Sequence, residues 1–168
     1  MIDVQPDFSK IFSETFASGA HPIQYSIRDG PNFLHDLAFV SSLVHDARVQ
    51  HVPTVVQNGI VEIPLNRDCW ELPYTDHGNS LELHVADSIL RLSGVTTIAW
   101  QFDQEAADNP WIYYLWADPA YRDSRKKHFA FYLVGEDWKS TITLTHDDWK
   151  IELRDLVPPY LWSSKNPS

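Results

Sequence analysis

Asn58-Gly59 stands between two β-prone runs, Val52–Val56 and Ile60–Leu65. A two-residue Asn-Gly turn needs positive φ at both positions, and that backbone joins neighbouring antiparallel strands. The pair fixes one chain reversal, and the sequence beyond it keeps the same character. Ser80–Val85, Ser88–Leu92, Val95–Phe102, Trp111–Ala117, Phe129–Val134, Thr141–Thr145 and Ile151–Leu156 are short and β-prone. Gly94, Asn109-Pro110, Asp118-Pro119 and Gly135 punctuate them. Short runs at such spacing predict antiparallel pairing. No helices alternate with the later runs, which argues against a parallel βαβ architecture.

The N-terminal part reads differently. Phe8, Ile11, Phe12 and Phe16 fall at helical spacing within Asp7–Ser18, and Gly19 is placed to end that helix. His21–Ile27 reads as a short extended piece, followed by a turn at Asp29-Gly30-Pro31-Asn32. Phe33, Leu37, Val40, Val44 and Ala47 then predict a second helix with a wide apolar face, with a strand over Leu37–Val44 as the alternative for so short and apolar a segment. The expected fold is α+β: N-terminal helices packed on a largely antiparallel sheet of seven to nine strands. The alternative is an all-β sandwich with peripheral helices. The 168 residues fit a single domain, 1–168, in which 157–168 form an ordered C-terminal tail. Tyr160, Leu161 and Trp162 are expected to pack on the sheet or on a second copy, so homo-oligomerisation through the tail is open.

Thirteen Lys and Arg stand against 23 Asp and Glu, a formal net charge of −10. A surface of that sign repels a phosphate backbone, which excludes nucleic acid as the expected partner and favours a basic protein. Arg122, Arg125, Lys126 and Lys127, interrupted by Asp123, read as a solvated loop. Met1–Asp7 has neither the basic nor the apolar region of a secretory leader, and no apolar run is long enough to span a membrane. Cys69 is the single cysteine, so no internal disulfide forms. The expected setting is cytoplasmic, with no membrane partner.

Two His-Asp pairs, His35-Asp36 and His45-Asp46, lie ten residues apart. On one continuous helix they would point about 80° apart and sit about 15 Å apart along the axis, so they cannot share a metal ion. His35-Asp36 suits a polar first helical turn. His45-Asp46 sits where the helix should hand over to a strand, with Arg48 beside it, and is the stronger site candidate. Arg67-Asp68-Cys69-Trp70-Glu71 is the densest polar and aromatic cluster. Asp68 and Glu71 would be a carboxylate pair for hydrolysis. The competing reading is an Arg67 ion pair beside a half-buried Trp70. Cys69 would need a neighbour such as His77 to become a nucleophile, and a buried structural thiol fits better. Asp137-Trp138-Lys139 and Asp148-Trp149-Lys150 repeat at an offset of 11 residues and read as two meander turns, each with a Trp opening the next strand. Their acids, Asp137, Asp147 and Asp148, with Trp138 and Trp149 beside them, form the expected contact patch for a basic partner. There is no Gly-rich phosphate loop, Gly-x-Ser-x-Gly or Cys-x-x-Cys, and neither a cofactor nor a metal is expected.

The order Leu43-x-His45-Asp46-Ala47-Arg48-Val49, then a hairpin, then Asn66 to Glu71 resembles small uncharacterised bacterial proteins that open a β-rich domain with His-Asp-Ala or His-Asp-Ser. Some of these occur beside toxin genes and look like immunity proteins. The resemblance covers roughly 45–100. It implies a β-rich fold and an immunity-like role, and it brings no enzymatic activity. The expected function is a non-enzymatic protein-binding or regulatory domain. The alternative is a small hydrolase or metal-dependent enzyme using His45, Asp46 and the Arg67–Glu71 cluster.

Overall fold

The computed structural model describes residues 22–72, 75–76, 81–103, 110–123 and 125–163. The helix expected over 7–18, His77 and the last five tail residues lie outside them. Asn58 and Gly59 have φ of +51° and +73°, and Gln57 and Ile60 exchange backbone hydrogen bonds of 3.0 and 2.9 Å across them. The turn is therefore the expected two-residue one. Its leading arm is not the expected strand. Val52–Val56 is irregular, because Pro53 has no N–H to give a ladder. The Pro53 carbonyl instead accepts from the Trp100 indole N–H at 2.7 Å.

The described elements are β1 (Gln24–Ile27), α1 (Phe33–Leu43), β2 (Arg48–Val49), β3 (Ile60–Asp68), β4 (Thr75–Asp76), β5 (Leu81–Ser93), β6 (Val95–Phe102), β7 (Tyr114–Ala117), a 3-10 turn (Pro119–Arg122), β8 (His128–Val134), β9 (Trp138–Thr145), β10 (Lys150–Asp155) and β11 (Tyr160–Ser163). The seven-stranded large sheet runs β1-β10-β5-β3-β2, with β4 and β11 also paired to β5. The four-stranded small sheet runs β6-β9-β8-β7. Among the described residues every strand pairing is antiparallel.

The fold is β-rich, with two antiparallel sheets and, among the described residues, one α-helix. This corrects the expectation of one sheet under N-terminal helices. The division falls at Gly94, where the chain leaves β5 and enters β6. Gly94 has φ +72°, and a Cβ there would lie 2.6 Å from the Asp148 carbonyl oxygen, so only glycine turns this corner against the β9–β10 connection. At another edge the segment before β7 ties the sheets together. Val49 N donates to Pro110 O, Ile112 N to Ala47 O, and Tyr113 N to Val134 O.

Side chains alternate across each strand. Ile63 and Leu65, Leu90 and Leu92, and Ile151 and Leu153 face inward from the large sheet; Phe131, Leu133, Ile142 and Leu144 face inward from the small one. They share one buried apolar cluster with Phe33, Leu37, Val40 and Leu43 of α1. The helix packs against β7 and β1. Ser41 Oγ accepts the Leu115 N–H at 2.9 Å, which satisfies part of the β7 edge. Tyr25 of β1 donates its hydroxyl to Asp36 at 2.8 Å. The tail docks through its backbone as β11 on β5, yet Leu161 stays 62% and Trp162 45% exposed.

Candidate functional site

The Arg67–Glu71 cluster divides. Successive residues of β3 point to opposite faces, so Arg67 turns into the core while Asp68 turns outward. Arg67 is fully buried, and its fork clasps Asp155 of β10 through Nε at 2.9 Å and an Nη at 2.8 Å. Its other Nη donates to Glu71 at 2.7 Å. Asp155 also accepts from Ser88 Oγ at 2.7 Å and from the Ile23 N–H at 3.1 Å. Burial pushes the Asp155 carboxyl up, but the hydrogen bonds and charge of Arg67 more than offset this and hold it below its ordinary range. Every group here has a partner, and Glu71 is not free for chemistry. Cys69 is buried beside the cluster; burial, with Glu71 and Asp155 reinforcing it against the pull of Arg67, pushes its thiol up to about 12. It does not present a thiolate.

His45 and Asp46 follow the end of α1, in the turn into β2. Asp46 holds φ +62°, the left-handed conformation that an Asx side chain tolerates. His45 Nδ1 lies 2.7 Å from the Tyr113 carbonyl, so this nitrogen carries a proton and Nε2 faces Asp46 Oδ2 at 3.6 Å. Arg48 lies over the Trp111 ring at 4.5 Å. Burial and the like charge of Asp46 push the Asp68 carboxyl up to about 6, against the opposing pull of Arg48. The structure thus brings Asp46, Arg48 and Asp68 together and leaves Glu71 elsewhere. His35 lies in the first turn of α1, 3.7 Å from Asp36. Among the described residues no group of three His, Cys, Asp or Glu side chains could hold a metal ion.

The expected acidic patch does not form. Trp138 opens β9 as the repeat implies, whereas Trp149 lies just before β10, and both are only 6% exposed. Trp138 shares the inward parity of Ile142 and Leu144, and Trp149 packs edge-on to Phe33 and Phe129. Asp137 lies before β9 and Asp147-Asp148 after it, about 30 Å of strand apart.

Sequence reasoning missed the surface around β7. In Trp111–Trp116 four aromatic residues are exposed: Trp111 41%, Tyr113 38%, Tyr114 50% and Trp116 48%. The signal was present in the composition of those six residues, which the β reading treated only as a strand. Tyr113 and Leu115 face one side, where Leu34, Leu37, Ser41 and His45 of the α1 region and Trp70 complete an open apolar groove of about 520 Å³. Tyr114 and Trp116 face the other side, the outer face of the small sheet, and with Tyr132, Val134 and Lys139 line a second groove of about 410 Å³. There Trp116 stacks on Tyr132 at 5.0 Å, and Lys139 Nζ lies 4.8 Å from the Tyr132 ring.

No protein-family model, curated protein or solved structure matches this chain.

Proposed function

We propose that this chain is a non-enzymatic recognition domain that binds another protein through the aromatic surface around β7, with an immunity-like role as its specific form. The observation that carries the reading is the row of exposed Trp111, Tyr113, Tyr114 and Trp116 between two grooves. Tyr and Trp supply large contact area at low entropic cost and dominate the energetics of protein contacts. Soluble chains rarely leave several such rings together without a use. The net charge of −10 favours a basic partner and disfavours nucleic acid and anionic membrane, and charge of that size speeds encounter with an opposite surface. Among the described residues no helix is long and apolar enough to cross a membrane. We place the protein in the cytoplasm, where a lone buried thiol such as Cys69 stays reduced.

A second reading, a small hydrolase, rests on Asp68, whose carboxyl at about 6 lies beside Asp46 and Arg48. Glu71, the carboxyl that the sequence paired with Asp68, belongs to Arg67, so this reading would have to use Asp46 as the second one.

The test is affinity capture from the native cell with the wild-type chain and a Trp116→Ala, Tyr113→Ala double variant that retains its circular dichroism. A protein recovered by the wild type and lost by the variant is expected. Equal recovery by both sinks the reading.

A further inference from the structure

We infer that the outer face of the small sheet takes a proline-rich segment in the polyproline II conformation, seated between Tyr114 and Trp116. The inference rests on the recognition reading above and names the chemistry of the partner.

Tyr114 and Trp116 are alternate residues of β7, so they stand on the same face about 6.8 Å apart. Rings standing parallel at that backbone spacing leave a slot of about 3.5 Å between them, the thickness of one ring in van der Waals contact with both, and Trp116 already stacks one way on Tyr132. A pyrrolidine ring fits such a slot. Tyr132 and Val134, the register partners of Trp116 and Tyr114, line its second side, and Lys139 lies opposite Val134 on β9. These five residues are the lining of the outer groove.

The polar groups of the groove select the ligand. They are an indole N–H, two phenolic hydroxyls and an ammonium. All four donate hydrogen bonds, and the indole and the ammonium cannot accept them. Among the described residues that line the groove none is a carboxylate or carboxamide, the nearest carboxamide in register being Gln101, beyond Lys139 on β6. A proline-rich segment is the complement of such a surface, because proline has no N–H and its carbonyls point outward, unbonded, along the polyproline II helix. The helix is also formed in advance, so little order is lost on docking, and aromatic-lined grooves exploit this. A sugar needs acceptors for its own hydroxyls, which this lining supplies only through the two phenols. A nucleic acid would bring phosphates toward a chain of net charge −10.

The experiment titrates a capped dodecamer of proline into the full chain, followed by tryptophan fluorescence and by the indole N–H signals in heteronuclear NMR. A saturable change centred on the Trp116 indole is expected. Trp116→Ala should weaken binding by about tenfold or more, Trp116→Phe should retain most of it, and Lys139→Gln should weaken it less than Trp116→Ala. Glu62→Gln, on the outer face of the large sheet, should bind as the wild type does. Melting curves of each variant establish that it is folded. The inference is overturned if no saturation is reached by about 2 mM peptide, a limit already weak for a specific contact. It is overturned equally if Trp116→Ala binds unchanged, or if a β-linked oligosaccharide or oligothymidine binds the groove and polyproline does not. A partner captured through Trp116 while polyproline fails to bind would remove this inference and leave the recognition reading standing.

Discussion

The two sheets turn opposite chemistries toward solvent. On the outer face of the large sheet Glu62, Arg91, Glu152 and Arg154 alternate in sign, and Arg91 pairs with Glu62 at 3.2 Å. On the outer face of the small sheet stand Tyr114, Trp116 and Tyr132, with Lys139. Their inner faces differ as well. The large sheet ends its apolar rows in a buried polar row of Arg67, Ser88 and Asp155, whereas the small sheet presents Phe131, Leu133, Ile142 and Leu144 with Ser140 alone polar. The large sheet places its polar groups where they hold strands together. The small sheet places aromatic rings where the core does not need them. A face of mixed charges is content in water, while a face of rings keeps an unfavourable hydration that only a partner removes.

If that contrast is sound, the largest effect of any substitution discussed here belongs to Arg67. Arg67→Ala leaves Asp155 and Glu71 buried without their cation and is expected to cost about 3–5 kcal/mol, measured by denaturant unfolding. A loss under about 1 kcal/mol would mean that the polar row is incidental. The same row sets the acid limit of the fold. Asp155 titrates below its unfolded value, so its contribution is complete above the unfolded pKa and is lost as pH falls through the lower folded one. Stability should therefore decline below about pH 4. Arg67→Ala should flatten that decline, and an unchanged acid profile would assign it to other carboxylates.

How much of this was legible in the sequence depends on whether the signal was local. The Asn58-Gly59 turn, α1 and strands β6, β8, β9 and β10 follow from residues within a turn or strand length. The single 13-residue β5 did not. Ala86-Asp87 reads as a break, yet Asp87 faces outward and accepts from Asn66 at 2.9 Å, so the strand runs through. The division into two sheets depends on what crowds Gly94, and Asp148 lies far along the chain. Arg67 with Glu71 was open to inspection as an i,i+4 pair, but its stronger partner Asp155 is 88 residues away. Strand parity would have placed Trp138 inside with Ile142 and Leu144, and would have set Tyr114 and Trp116 on the face opposite the buried Leu115 and Ala117; that Ile112 is buried while Trp111 and Tyr113 are exposed does not follow from parity. Conformation and burial were thus readable where parity was followed, and cross-chain partners were not.

A smaller effect, of opposite sign, is expected at Asp68. Its folded pKa of about 6 is raised, so the stability it confers is present below the unfolded value and lost as pH rises through 6. Removing the charge should therefore stabilise the protein at pH 8. Half-exposure and the Arg48 charge limit the gain of Asp68→Asn to on the order of 1 kcal/mol, and none should remain at pH 4. A melting temperature that falls at pH 8 would show that Asp68 is held by Arg48 more than it is opposed by Asp46. The hydrolase reading would lose its footing with that result, since it rests on the raised Asp68 carboxyl.

The smallest expected effect is the one on which the contrast depends most. Trp116 is 48% exposed and its ring touches Tyr132 in the outer layer, away from the shared core. Truncating a core aromatic typically costs about 3–5 kcal/mol, through lost burial and the cavity left behind. Trp116→Ala opens no cavity, since its place is already a groove, and it removes one exposed stacked pair worth about 0.5–1.5 kcal/mol at most. Its effect on unfolding free energy should therefore stay within about 1.5 kcal/mol, well below that of Arg67→Ala. A large loss of binding with so small a loss of stability would separate the two sheets by role. If instead Trp116→Ala unfolds the protein as readily as Arg67→Ala does, the ring is structural, and the outer faces of the two sheets differ in composition but not in purpose.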